Sequence, residues 1–203
     1  MVARKYGISR EKQDRMAVES HEKAHRATEE GFFRKEILPV EADVPDGEGG
    51  TKPMVVDRDQ GIRPETTMES LAGLKPVFMD DDAATVTAGN SSQVNDAAAC
   101  VLVASKEKCE ELGLKPKMRL VDYVVVGVDP AYMGIGPSVA IPKVLKRAGI
   151  TRDQIGIWEV NEAFASQAVY CTEVLGIRDH KHLNPRGSGI SLGHPLGCTG
   201  TRI

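Results

Sequence analysis

The spacing of apolar and polar residues near the start of the chain predicts one long helix and then a strand. Residues 9–30 carry charged positions around a thin apolar side, and Ser9 and Gly31 supply the start and stop signals of a polar surface helix. The apolar side of this helix consists of Met16, Val18, Ala24 and Ala27. A short strand is expected at 36–40.

The middle of the chain has a less regular pattern. Residues 41–67 are rich in Asp, Glu, Gly and Pro, a composition that favours an extended, exposed excursion with one strand at 54–56. The stretch 84–105, ATVTAGNSSQVNDAAACVLVAS, predicts an alternating strand, a polar turn and an apolar strand. A short helix ending at Leu112 follows.

Strands and helices alternate regularly from residue 118 onward. The predicted elements are, in order, a strand at 119–129 (RLVDYVVVGVD), a helix at 138–148, a strand at 154–160 (QIGIWEV) and a helix at 163–175. Gly149 and Gly176 close the two helices. Alternation of this length indicates an α/β protein with a parallel sheet.

Composition and charge narrow the class of protein. The chain has 203 residues, a formal net charge of −3 and interspersed charges of both signs, so no strong field favours nucleic acid or an anionic membrane. No apolar run approaches the ~20 residues of a membrane span, and no targeting segment is recognisable. The four cysteines have neither zinc-site spacing nor the density of a disulfide scaffold, which indicates a reducing compartment.

The glycine-rich stretch GSGISLGHPLGCTG, residues 187–200, matches several motifs in part. GISLG at 189–193 fits the nucleophile elbow of hydrolases, but no apolar strand precedes it and no Asp or Glu follows Ser191. A Walker loop would need a lysine before Ser or Thr, and a dinucleotide fingerprint would need its third glycine one residue earlier. These motifs are therefore discounted.

Two polar residues occupy positions suited to chemistry. Pro195 biases His194 away from helical geometry and Gly193 permits close backbone approach, so a bend that displays the imidazole is expected. Asn161 follows the strand at 154–160, at the edge of a parallel sheet where such folds bind ligands. From these residues alone, two alternatives remain open: a turn histidine without a function, and a helix cap at Asn161.

Five sequence motifs, considered together, indicate a protein family. They are GIRPETTMESLAGLKPVF, TAGNSSQVND, AYMGIGPSVAIP, NEAFASQAVYC and GHPLGCTG. In content, order and approximate spacing they resemble the thiolase family, specifically the 3-ketoacyl-CoA thiolases of peroxisomal type. The resemblance implies an α/β protein with the layered α/β/α/β/α thiolase fold, incomplete in this chain, and a loop-rich domain that embraces coenzyme A. Residues 1–92 are then the loop domain, 93–115 the end of the N-terminal half, and 116–203 a truncated C-terminal half.

The resemblance also implies a reaction, namely an acetyl-CoA C-acyltransferase that cleaves 3-ketoacyl-CoA with CoA to acetyl-CoA and a shortened acyl-CoA in fatty-acid β-oxidation. In the family pattern, His194 supports the nucleophile and donates to an oxyanion hole, while Asn161 holds the water that is the other donor. The residues implied to contact CoA are Ser92 near the pantetheine, Met133 and Phe164 along the acyl and pantetheine tunnel, and Arg63 near the adenine and phosphates.

Several further expectations follow from the same resemblance. Coenzyme A is a substrate, and neither a metal nor a permanently bound cofactor is implied. The full-length protein is expected to be a homodimer with acyl-CoA and CoA as partners, without nucleic acid or a membrane span. Peroxisomal localisation is implied by the subfamily, with the mitochondrial matrix or the cytoplasm as alternatives.

The chain departs from the family pattern at its cysteines. The nucleophilic and acid/base cysteines of the family have no counterpart here, so the chain alone is expected to be inactive. Cys100 in an apolar strand and Cys171 on a packed helix face are expected to be buried, inert thiols, and Cys198 to serve packing. Ser188 replaces a glycine that is common in the family, which would cost about 1 kcal/mol if the position needs a positive φ.

Two alternatives to an enzyme fragment are kept. One is a thiolase-like module that binds CoA or dimerises without catalysis, which the missing cysteines and Ser188 permit. The other is an unrelated hydrolase that uses Ser191.

Overall fold

The computed structural model describes residues 1–79, 81 and 83–203. Its helices are α1 Val2–Tyr6, α2 Arg10–Glu29, α3 Met68–Ala72, α4 Lys106–Glu111, α5 Gly136–Ala148, α6 Ala165–Val174, α7 Gly189–Leu192 and α8 Leu196–Arg202. Its strands are β1 Val40–Pro45 and β2 Thr51–Val56. Short 3-10 helices lie at Phe32–Lys35, Ala88–Asn90, Pro130–Ile135 and Arg152–Gln154. Within these residues, no helix combines the length and apolarity that crossing a membrane requires.

Helix α2 is the element around which the rest is arranged. Ser9 caps it as predicted, with Oγ accepting a hydrogen bond from the Lys12 backbone N–H at 3.3 Å. The prediction of a surface helix is confirmed for one face, which exposes Lys12, Arg15 and Glu22. The buried face is wider than predicted, because α2 contacts α3, α6 and α7 and buries polar as well as apolar side chains. The polar ones are tolerated because they pair inside the protein; Asp14, for example, accepts hydrogen bonds from Arg10 and Asn90.

Among the described residues, the core consists of three apolar clusters. The largest joins α1, α2, α3, α6 and α7 through Ala3, Ile8, Met16, Ala17, Leu71, Ala165, Ala168, Val169 and Ile190. The second contains Ala24, Ala27, Phe33 and Leu192, and the third contains Trp158, Val160, Ile177 and Leu183. Because burial of apolar surface contributes about 25 cal/mol per Å², these clusters are the main stabilising contacts of the segments around 158–168 and 183–192.

The hairpin lies within the excursion that the composition predicted. A strand at 36–40 is wrong except for its last residue, since the 3-10 helix Phe32–Lys35 runs up to Glu36 and β1 begins at Val40. Strand β2 contains the predicted strand at 54–56. The two strands pair antiparallel with Val40 opposite Val56, and their side chains are almost all exposed.

The strands predicted at the end of 84–105 and at 119–129 do not form. In the described structure, residues 94–104 and 115–128 make no backbone-to-backbone hydrogen bonds, and their apolar side chains, such as Leu102 and Val125, are exposed. A strand exists only when a neighbouring strand satisfies its N–H and C=O groups, and these segments have none. Cys100 is consequently exposed, and the prediction that it is buried is wrong.

A parallel bridge between distant segments forms beside Trp158, within the predicted strand at 154–160. Trp158 N–H donates to His182 C=O at 3.0 Å, and Asn184 N–H donates to Trp158 C=O at 2.8 Å. These two bonds form a parallel bridge between Trp158 and Leu183. They hold the segment that leads to Asn161 beside the segment that leads to His194.

The predicted helices of the second part form with small shifts. Helix α5 covers the predicted 138–148 and ends at Gly149, whose φ is 66°. Helix α6 begins two residues later than predicted, and Gly176 follows it, also with a φ of 66°. Local signals thus fixed these elements, because caps and glycines act within one turn.

Candidate active site

The turn that carries His194 joins the buried helix α7 to α8. Gly193 leaves α7 with a φ of 85°, and a Cβ at this position would collide with the Asn95 side-chain amide. Pro195 then begins α8, so the predicted bend is confirmed. His194 is half-buried, and its Nδ1 lies 2.7 Å from the Thr199 hydroxyl oxygen. In the described part of the chain Nε2 has no hydrogen-bond partner.

Asn161 lies at the other end of α7. Its Oδ1 is buried and has no hydrogen-bond partner among the residues described. A Cβ on Gly189, the first residue of α7, would lie only 2.8 Å from this oxygen, which explains why a glycine is needed there. The alternative that Asn161 caps a helix is wrong, because α6 begins at Ala165 and its cap position is Phe164.

A third segment connects the two candidates. Ser92 N–H donates to Ala163 C=O at 2.9 Å, two residues after Asn161. The Gln93 side-chain amide donates to Ile190 C=O at 3.2 Å, and that of Asn95 donates to Leu192 C=O, also at 3.2 Å. Residues 92–95 therefore contact both the Asn161 segment and α7. Since α7 has four residues, Asn161 and His194 flank an element about 6 Å long.

Ser191 is not a candidate nucleophile in this structure. It is fully buried, its hydroxyl oxygen lies 2.9 Å from Ser20 Oγ, and it donates to Ser188 C=O at 3.2 Å. None of these partners is a histidine, so the hydrolase alternative is wrong. Ser188 has a φ of −154°, which is ordinary extended backbone, and the strain considered for this residue does not arise.

Sequence reasoning missed a buried carboxyl beside Asn161. Glu162 accepts hydrogen bonds from Ser20 Oγ at 2.6 Å and from Asn184 Nδ2 at 2.8 Å. Burial raises the pKa of Glu162 above its ordinary value, against the lowering effect of these two hydrogen bonds. The only sequence signal was a Glu after an apolar strand, which equally suits the first turn of a helix.

An apolar cavity of about 260 Å³ adjoins the Asn161 segment. Met133 and Phe164, the two residues predicted to lie along the acyl and pantetheine tunnel, both line this cavity, together with Phe78 and residues of α1. The rings of Phe164 and Phe78 meet edge to face with centroids 5.8 Å apart. Ser92 and Arg63 do not line this cavity, so the structure brings together two of the four residues implied to bind CoA.

The segment of Arg63 is anchored through its backbone, whereas its side chain is exposed. Arg63 N–H donates to Nδ1 of the buried His21 on α2 at 3.1 Å. Two residues earlier, Gly61 C=O accepts a hydrogen bond from Gln93 Nε2 at 2.7 Å. Burial, followed by the nearby Arg63 charge, lowers the pKa of His21 to about 4, so that the ring is neutral at pH 7.

The sequence of the chain matches family models and individual proteins of known family. The family model "Thiolase, N-terminal domain" matches residues 1–107, and "Thiolase, C-terminal domain" matches residues 114–203. The chain belongs to the thiolase family. Over 201 residues this thiolase chain is 56% identical to 3-ketoacyl-CoA thiolase B, peroxisomal, of Rattus norvegicus, an alignment that covers 99% of the chain and 47% of the rat protein. The chain thus spans about half the length of the curated relatives it matches.

Solved structures confirm the thiolase fold that the motifs implied. The crystal structure of the Bacillus anthracis acetyl-CoA acetyltransferase matches 100% of the chain with a TM-score of 0.91 and 42% identity, over 49% of its own length. The dimeric peroxisomal thiolase of Saccharomyces cerevisiae matches 99% of the chain with a TM-score of 0.88 and 47% identity, over 48% of its own length. These two structural matches show that the chain has the α/β fold class.

The thiols of the thiolase chain have different surroundings. Cys171 is buried, its Sγ donates to Gly134 C=O at 3.4 Å, and burial raises its pKa to about 11, which suits an inert thiol. Cys198 is buried beside the His194 turn, whereas Cys100 is exposed. Among the described residues, no group of three or more His, Cys, Asp or Glu side chains is placed to hold a metal ion.

The first prediction concerns Gly187, which precedes the site with a φ of 77°. A Cβ there would lie 2.5 Å from Ser191 Oγ and 2.7 Å from Ser20 C=O, whereas a Cβ on Gly113, with a φ of 62°, would meet nothing within 4 Å. Gly113→Ala therefore reports left-handed strain alone, about 1 kcal/mol, and Gly187→Ala should lower the free energy of unfolding by ~2 kcal/mol more. Urea unfolding of both variants measures this difference, and equal losses would contradict the packing described here.

The second prediction concerns His21 and pH. Because the folded-state pKa is below the unfolded value of 6.5, the folded chain binds fewer protons, and the stabilisation present above pH 6.5 is lost as pH falls toward 4. With solvent screening, the loss should be about 1–2 kcal/mol. His21→Gln keeps an acceptor for Arg63 N–H but does not titrate, so its unfolding free energy should fall less between pH 7 and pH 4.5. A pH dependence in His21→Gln as steep as in the wild type would refute the assignment.

Proposed function

We propose that this chain is part of a thiolase that cleaves 3-ketoacyl-CoA with CoA, giving acetyl-CoA and a shortened acyl-CoA. The observation that carries the proposal is the pair of unsatisfied groups at the two ends of α7. They are the buried Asn161 amide oxygen and the unpartnered Nε2 of His194. The Asn161 oxygen is buried, and a buried polar atom is rarely left unpaired unless a ligand or water binds it. His194 is only half-buried, and no residue of the described chain occupies its Nε2.

The reaction requires a nucleophile and a place for negative charge. A cysteine thiolate, supplied by a part of the protein outside this chain, attacks the keto carbon of the substrate. His194 Nε2 takes the thiol proton and then donates it in a hydrogen bond to the oxyanion that develops on the thioester oxygen as acetyl-CoA leaves as its enolate. Asn161 orients a water that is the second donor to this oxyanion. Such preorganised donors are worth ~3–4 kcal/mol each.

Bond cleavage completes the first half of the reaction. The bond between the α-carbon and the keto carbon breaks, acetyl-CoA leaves as its enolate, and the acid/base cysteine of the family, outside this chain, gives the enolate its proton while the shortened acyl group stays on the nucleophilic cysteine. A second CoA thiol then gives its proton back to the acid/base cysteine, attacks the thioester, accepts the acyl group and releases the nucleophile as thiolate. Chain-length preference is not assigned by these residues.

Coenzyme A needs an apolar channel with polar anchors. Met133 and Phe164 supply apolar walls through the cavity of about 260 Å³. Ser92 contributes its hydroxyl near the pantetheine; its backbone N–H is already bound to Ala163 C=O. Arg63 supplies an exposed cation for the phosphates, on a segment whose backbone is hydrogen-bonded to His21.

The organisation of the whole protein belongs to the same proposal. Residues 1–92 are the CoA-embracing loop domain, 93–115 end the N-terminal half and 116–203 belong to the C-terminal half. A homodimer is supported by the dimeric state named for the yeast relative. Peroxisomal localisation is supported by the names of the rat and yeast proteins. The cytoplasm stays an alternative because a bacterial protein matches as well, and the mitochondrial matrix stays a second alternative.

The third prediction tests the site in a complete enzyme. The chain replaces the matched 201-residue segment of the rat thiolase, and this chimera is assayed for thiolysis of acetoacetyl-CoA. We expect turnover by the chimera and none by the 203-residue chain alone, which lacks the nucleophile. His194→Gln should lower kcat by about 10³-fold or more and Asn161→Ala by about 10²-fold, because each removes transition-state stabilisation.

The controls separate loss of chemistry from loss of structure. His182→Gln, at an exposed position, should leave kcat unchanged. A folded dimeric chimera that binds CoA without turnover would favour the alternative of a CoA-binding or dimerising module. Activity in His194→Gln equal to wild type would contradict the proposed roles outright.

A further inference from the structure

Thr199 is the one hydrogen-bond partner of the His194 ring in the described structure. It lies on α8, one turn after Pro195, and only 6% of its surface is exposed. Its Oγ1 is 2.7 Å from His194 Nδ1 and 3.2 Å from Pro195 C=O, to which it donates. The hydroxyl thus stands between a ring nitrogen and a carbonyl.

Two arrangements of hydrogen atoms are compatible with these distances. In the first, Thr199 donates to Pro195 C=O and accepts from a protonated Nδ1, which leaves Nε2 bare. In the second, Thr199 donates to Nδ1, and the neutral ring carries its proton on Nε2. A threonine hydroxyl has one hydrogen, so its donor bond decides which nitrogen of the ring is the base.

Only the first arrangement serves both charge states of the ring. When Nε2 takes up a proton, the imidazolium must donate from both nitrogens, and Nδ1–H already points at Thr199 Oγ1. The hydroxyl keeps its bond to Pro195 C=O, a common back-bond in helices, and nothing has to rotate. In the second arrangement Nε2 already carries a proton, so the ring would take up its second proton on Nδ1. The new N–H hydrogen would then face the O–H hydrogen of Thr199, and the hydroxyl would have to rotate first.

We propose that Thr199 is a positioning residue that holds the proton of neutral His194 on Nδ1 and so presents Nε2 as the base. The inference rests on the proposed function, because it specifies how the assigned base is prepared. The thiol proton moves to Nε2, the thiolate forms, and Nδ1–H remains bonded to Thr199 throughout. Helix α8, which carries Thr199, therefore determines the tautomer of the His194 ring.

The test uses three threonine variants of the rat chimera, together with His194→Gln for the assignment of the NMR signals. Thr199→Val removes the hydroxyl and keeps the shape, and Thr199→Ser restores the hydroxyl. Thr172→Val is the matched control: Thr172 is buried on α6 and makes the same back-bond, to Ala168 C=O at 2.7 Å, but its hydroxyl has no imidazole partner. The ring nitrogens of ¹⁵N-labelled histidine report the tautomer by NMR, with the His194 signals identified by their absence in His194→Gln.

In wild type and Thr199→Ser, we expect the neutral His194 ring to carry its proton on Nδ1. In Thr199→Val the proton should move to Nε2, the form that dominates for a free imidazole in water, and kcat should fall about tenfold at unchanged KM. Thr172→Val should lower stability without lowering kcat. Serine rescue separates the hydroxyl from a general packing effect.

The inference is overturned if the wild-type ring is protonated on Nε2, whether or not the Thr199→Val protein folds. It is equally overturned if Thr199→Val retains the kcat of Thr172→Val. If the folded wild-type chimera has no thiolysis, the proposed function fails, and the NMR measurement still decides the role of Thr199.

Discussion

The positions of both site residues depend on one buried carboxyl. Glu162 binds Ser20 on α2 and Asn184 on the segment that leads to the His194 turn. A buried carboxyl without partners would be strongly destabilising, whereas a fully hydrogen-bonded one restricts its neighbours to a single arrangement. Ser20 Oγ also accepts a hydrogen bond from the Ser188 backbone N–H at 3.3 Å, and this bond extends the network to the start of α7. The helix and the two site segments therefore cannot shift independently.

The unusual backbone of the site follows from this close packing. Asn184 adopts a φ of 42°, the one non-glycine residue of the described chain with a positive φ. Two hydrogen bonds of its side chain offset this strain. Asn184 Oδ1 accepts from Val160 N–H at 2.7 Å, and Asn184 Nδ2 donates to Val160 C=O at 2.8 Å. Gly187 and Gly189 let α7 approach α2 and Asn161 without side-chain collisions. Close approach of backbones thus places an amide and an imidazole at the two ends of one short helix.

Local features of the site could be predicted from sequence, and non-local ones could not. The start of α2 at Ser9, the end of α5 at Gly149 and the bend at His194 depend on caps, glycines and proline within a few residues. The burial of Glu162 depends on Ser20, 142 positions away, and a single sequence gives no sign of that contact. The segment 119–129 has the composition of a buried strand, but a strand also needs a hydrogen-bonded neighbour, which the pattern cannot supply.

The central claim is that the His194 imidazole and the Asn161 amide serve the same oxygen atom. A crystal structure of the rat chimera with bound acetyl-CoA tests it most directly. The account predicts the thioester oxygen within hydrogen-bond distance, about 2.6–3.2 Å, of His194 Nε2 and of a water held by Asn161. A thioester oxygen that neither group reaches, or side chains too far apart to share a bridging water, would contradict it.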